Sequence, residues 1–223
     1  MAGDLATVRA LLADHPEVNN RNDDNGWTVL MVAAAGDHAE VVAELVAQPE
    51  IDVNARAEND RTALHLAAER GHERVVAALG SHPELDPNAK DALGRTALSL
   101  AGFNGSLGAV EQLLALPGTD PNLVDRDRQT ALHWAALGGH AEVVRRLLGD
   151  ARTNAGITNR PAGDTAQRVA AGAAAALLEE RMRTDPGSDE LSPGDARPAP
   201  PPEEPVFYRK PFVPEPPDLG KAE

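Results

Sequence analysis

Between residues 60 and 80 the apolar positions fall into two short clusters with helical spacing. The first holds Ala63, Leu64, Leu66, Ala67 and Ala68, the second Val75, Val76 and Leu79, and Gly71 divides them. Apolar residues recurring at three- and four-residue intervals line one face of a helix, so each cluster predicts a short amphipathic helix. Thr62 stands before the first cluster, where its hydroxyl can accept from an unpaired amide of the opening turn. Gly71 follows it, and a residue without a Cβ can take the left-handed conformation that ends a helix. The second helix stops ahead of Pro83, which lacks an N–H and cannot continue the turn. A polar, glycine-containing link, DPNAKDALGR, then leads to the next threonine.

The pattern repeats. DRTALHLAAERGHERVVAAL from Asp60 returns as RQTALHWAALGGHAEVVRRL from Arg128, with GRTALSLAGFNGSLGAVEQL from Gly94 between them. The threonines Thr28, Thr62, Thr96, Thr130 and Thr165 are separated by 34, 34, 34 and 35 residues. Asn20, Asn54, Asn88 and Asn122 keep the same beat, each eight residues ahead of a threonine. Gly71, Gly105 and Gly139 mark the first helix end in three units, and Pro16, Pro49, Pro83 and Pro117 mark the second in four. A fixed period of this length means stacked supersecondary units, none of which can bury its apolar face alone.

With TALH at 62–65 and 130–133, the pairs Gly71-His72 and Gly139-His140, and DVN at 52–54, the chain resembles an ankyrin-repeat protein over roughly residues 3–181. The resemblance implies an all-α solenoid of helix-turn-helix units joined by hairpin-like turns. Its units would be a partial N-terminal repeat at 1–24, full repeats at 25–59, 60–93, 94–127 and 128–161, and a C-terminal cap at 162–182. Two departures stand out. The proline usual after the threonine is replaced by Val29, Ala63, Ala97, Ala131 and Ala166, and Asp37 occupies a place where other repeats have glycine. Gly3 to Leu12 aligns with Gly139 to Leu148, so the chain opens on a second helix, and an apolar edge is expected that a partner or an upstream segment would cover.

Composition narrows the function. Apolar residues make up 42% of the 223-residue chain but aromatics only 3%, so Ala, Leu and Val must build the core by close helix packing. The formal charge of −14 opposes nucleic acid and anionic lipid surfaces as direct partners. There is no cysteine, hence no disulfide and no thiolate site, in keeping with a reducing compartment. The first residues lack the basic start and apolar run of a signal peptide, and the expected location is intracellular, in the cytoplasm or alternatively the nucleus. Beyond about residue 182 the composition turns acidic and proline-rich, with eleven of the eighteen prolines in the last 42 residues. Such a tail, 183–223, is expected to be disordered or extended.

No catalytic residue, cofactor or metal site is expected. His65 and His133 hold equivalent places two repeats apart, about 20 Å at the usual spacing of packed helices, too far for one ion. The resemblance assigns them instead to hydrogen bonds between neighbouring turns. The five serines sit in no nucleophile motif, and Lys90, the only lysine before the tail, is in no phosphate loop. AGFNGSLG falls on the turn between two helices.

Binding of a protein partner remains. The resemblance places turn tips and first-helix ends on a concave face that would carry Trp27, Arg56, Glu58, Asn59, Arg61, Glu69 and Arg70. Farther along it would carry Leu93, Arg95, Phe103, Asn104, Arg126, Gln129 and Leu137. Of these, Trp27, Arg56, Arg61, Arg95, Phe103, Arg126 and Leu137 are the candidate contacts. The arginine row fits a partner with acidic or phosphorylated segments. Alternatively these arginines pair with Glu58, Asp91 and Asp127 as ordinary surface. Trp134, in the place of Leu66, is expected in the core. In the tail, Phe207, Tyr208 and Phe212 flank Arg209 and Lys210, a second docking motif for a separate partner or for the array itself. The leading expectation is a non-catalytic adaptor or scaffold, a monomer alone or part of a hetero-complex. A permanent subunit of a large assembly is one alternative. A regulatory inhibitor is another, with Ser188 and Ser192 as phosphorylation sites in an acidic tail resembling those of NF-kappa-B inhibitors.

Overall fold

The computed structural model describes residues 26–159. The partial N-terminal repeat, the C-terminal cap and the tail with Phe207, Tyr208 and Phe212 lie outside the described residues. Within them are four helix pairs: α1 (Val29–Ala35) and α2 (Ala39–Val46), α3 (Ala63–Arg70) and α4 (Glu73–Leu79), α5 (Ala97–Phe103) and α6 (Leu107–Ala115), and α7 (Ala131–Leu137) and α8 (Ala141–Leu148). Each first helix packs on its own second helix and on the first helix of the next repeat, and the second helices stack likewise. Among the described residues the regular elements are helices, as the periodicity predicts.

The caps follow the threonine register. Thr28, Thr96 and Thr130 accept hydrogen bonds at Oγ1 from the amides of Met31, Ser99 and His133, at 3.2, 3.2 and 3.4 Å. The helices end at left-handed Gly71, Gly105 and Gly139, with φ of 73°, 70° and 70°. Asp37, the odd residue of this series, is forced to φ 59°, a region where its Cβ is crowded.

The core is periodic in the same way. Leu30, Leu64, Leu98 and Leu132 are buried in the inner layer, and Val42, Val76, Val110 and Val144 with Leu45, Leu79, Leu113 and Leu147 are wholly buried between the layers. Gly102 stands where the other repeats have alanine, and a Cβ there would lie 2.8 Å from the carbonyl oxygen of Ala131. At that contact α5 and α7 approach more closely than a side chain would allow. The first repeat differs: Val29 and Val32 are 39% and 38% exposed, although the equivalent Ala63 and Leu66 are buried.

The asparagine marker is an inter-repeat staple. Nδ2 of Asn54, Asn88 and Asn122 donates to the carbonyls of Glu84, Gly118 and Arg152 at 2.7, 2.8 and 2.7 Å. Their Oδ1 atoms accept from the amides of Asp86, Asp120 and Asn154 at 2.9, 2.9 and 2.7 Å. Each side chain thus reproduces both halves of a backbone pairing with the next unit. His65 makes a second staple. Its Nδ1 accepts from the Thr62 amide at 3.2 Å, so Nε2 carries the proton and donates to the Arg95 carbonyl at 3.1 Å. Ser99, in the same place one repeat on, reaches only the Thr96 hydroxyl, at 3.1 Å.

Candidate partner-binding face

The links between repeats are tight hairpins. The amides of Ala57, Asp91 and Asp125 donate to the carbonyls of Arg61, Arg95 and Gln129 at 2.9, 2.9 and 3.1 Å. The tips are tied together as well, the Ala92 amide donating to Asn59 and the Arg126 amide to Leu93, at 2.9 and 3.1 Å. These bonds fix a row of tips, Glu58-Asn59, Ala92-Leu93 and Arg126-Asp127, beside the first helices.

The arginine row does not survive as a basic strip. Arg61 and Arg95 are only 4% and 6% exposed, which corrects the expectation that both stand free on the open face. Arg61 grips Glu69 with two bonds of 2.8 and 3.0 Å, and its Nε lies 4.0 Å from Asp91 Oδ2. Arg95 turns its Nε and Nη2 onto the same Asp91 oxygen at 2.9 and 2.7 Å. A buried guanidinium needs such a carboxylate, because it cannot shed its proton. Burial by itself would raise the Asp91 pKa, but the Arg95 side chain and backbone amide outweigh it and hold the carboxyl below its usual range. Arg56 is exposed yet occupied, donating to the carbonyls of Asp60 and Lys90 at 3.2 and 2.8 Å. Of the four, Arg126 is exposed with its guanidinium unpaired among the described residues. Of the carboxylates read as alternative arginine partners, Asp91 serves, whereas Glu58 and Asp127 make no ion pair among the described residues.

The fourth repeat solves the same turn differently. Gln129 replaces the arginine, and Asp125 accepts instead from Trp134 Nε1 at 3.0 Å and from the amides of Asp127 and Gln129 at 3.0 and 2.8 Å. Burial without a cation pushes the Asp125 pKa up, against those hydrogen bonds. Trp134 is buried as expected, and it has a second task that its place in the alignment did not announce. Its ring meets Phe103 edge-on, centroids 5.3 Å apart at 87°. Phe103 is half-buried, with its ring set against Trp134. Leu137, one turn beyond Trp134, is 50% exposed, and Leu93 on the neighbouring tip 44%. Trp27 is half-buried against the core.

A family model for ankyrin repeats matches the chain in three copies, over residues 1–91 and 98–185. The chain belongs to the ankyrin-repeat family. Ankyrin repeats are in general protein–protein interaction modules and typically non-catalytic. A search of curated proteins finds no match to this ankyrin chain. Among its described residues no group of three or more histidines or carboxylates is placed to hold a metal ion, and no helix is long and apolar enough to cross a membrane.

Proposed function

We propose that this ankyrin array is a non-catalytic adaptor that grips a protein partner on the face made by its hairpin tips and first-helix ends, working inside the cell. The observation that carries the reading is the exposure of Leu93 and Leu137 at stations where the stack uses neither side chain. An apolar group that contributes nothing to the core, held on a rigid scaffold, is the kind of anchor an interface buries. The tail segment with Phe207, Tyr208 and Phe212 is proposed as a second docking motif, on the strength of half the chain's aromatic residues lying within seven positions of each other.

A photo-crosslinking residue at position 137 is expected to capture a partner from native cells, and one at exposed Ala77 on α4 to capture none. Capture from position 77 alone would overturn the reading. A second reading, a permanent subunit of a larger assembly, draws on the exposed Val29 and Val32. Sedimentation of the purified chain separates the two: a stable monomer fits the adaptor, and self-association abolished by Val32→Lys fits the subunit.

A further inference from the structure

We propose that the inner face from the last hairpin tip of the second repeat to the fourth repeat takes a protein segment in which a large apolar side chain lies close to a carboxylate. The apolar group packs on Leu93, Phe103 and Leu137, and the carboxylate pairs with Arg126. The inference rests on the adaptor reading and names the chemistry of its partner.

The apolar half is a built surface. Phe103 ends α5 and Leu137 ends α7, equivalent positions on adjacent helices that pack together. Trp134 ties them, touching Phe103 edge-on at 5.3 Å while lying one turn before Leu137, and its indole is anchored by the 3.0 Å bond to Asp125. The same hairpin carries Arg126, whose amide is bonded to Leu93. The backbone of these four residues, drawn from three successive repeats, is set by the stack and its hairpins, and the Phe103 ring is set against Trp134, so little backbone ordering remains to be lost on binding.

The charged half follows from elimination. Arg61 and Arg95 are neutralised by Glu69 and Asp91, and Arg56, Arg70, Lys90 and Arg128 donate to backbone carbonyls. Arg126 is the cation of the hairpin edge that is left, among the described residues, for an incoming anion. A planar guanidinium beside an apolar surface favours a carboxylate in two parallel hydrogen bonds. Asp127, also exposed and without an ion pair among the described residues, is the rival group, and it makes the two signs of partner separable by experiment.

The test is selection of random dodecapeptides displayed on phage against the full chain, followed by affinity measurement with the synthesised peptides. Enriched sequences should combine Leu, Phe or Trp with Asp or Glu. Their affinity should fall about tenfold or more in Leu137→Glu and in Arg126→Glu, and changing the peptide carboxylate to lysine should restore it in Arg126→Glu. Asp127→Asn and the control Arg146→Glu should leave it unchanged. All four positions lie outside the buried core, and melting curves check that the variants stay folded. Peptides rich in lysine or arginine that lose affinity in Asp127→Asn would overturn the proposal while leaving the adaptor reading standing. Peptides indifferent to both Leu93→Glu and Leu137→Glu, or no enrichment at all, would count against both.

Discussion

At the scale of single residues the repeats serve as each other's controls. His65 is wholly buried, and desolvation pulls its pKa down to about 4 against the opposing bond to the Arg95 carbonyl. The unfolded chain therefore binds a proton that the folded chain refuses, between its ordinary value near 6.5 and about 4. Stability from this group is complete above the unfolded value and is lost as pH falls toward the folded one, roughly 3 kcal/mol over the window. His65→Ser copies the third repeat. It should cost about 1 to 3 kcal/mol at neutral pH through the lost inter-repeat bond, and should flatten the fall of melting temperature between pH 6.5 and 4. An unchanged acid slope would show that the imidazole is not the group responsible. Asp91 offers a second comparison, since the preceding repeat has Ala57 there and turns its arginine to Glu69 instead. Asp91→Ala strands Arg95 without a counter-charge and should destabilise by about 3 to 5 kcal/mol, read by urea denaturation.

At the scale of elements, helices and caps were legible in the sequence because each depends on residues within one period. Thr28, Gly71 and the leucine and valine stations act over three or four positions, and the structure uses them as the spacing predicts. What escaped was decided between periods. Arg61 looked like a face residue because its station is open in principle, but Glu69 and Asp91 lie near it only after the hairpin closes and the next unit stacks. The repeat alignment places Phe103 on the open face, but its orientation depends on Trp134 one repeat later, which no single period shows. The asparagine beat was visible, yet its purpose as a staple needed the neighbouring backbone. Two predictions follow at this scale. Leu98→Ala removes a buried leucine and should cost about 2 to 5 kcal/mol, while Phe103→Ala, half-exposed, should cost less than half as much and act mainly on partner affinity. Asn88→Ala should cost about 1 kcal/mol for two bonds at a solvated edge. Equal losses of stability in the leucine and phenylalanine variants would mean that Phe103 belongs to the core.

At the scale of the molecule, the array, in which no group of histidines or carboxylates among the described residues is placed to hold a metal ion, carries one chemically distinct stretch on its inner edge. Most charges of the inner edge are internally matched, so electrostatics alone gives a partner little to recognise there. Leu93, Phe103, Leu137 and Arg126 depart from that matching across three successive repeats, and specificity should be concentrated on them. Amide exchange of the full chain, free and saturated with its cross-linked and identified partner, tests this most directly. Slowed exchange is expected at the tips 92–95 and 126–129 and at the turns 103–106 and 137–140, with α2, α4, α6 and α8 unchanged. Slowing confined to those second helices, with the tips exchanging as before, would contradict it.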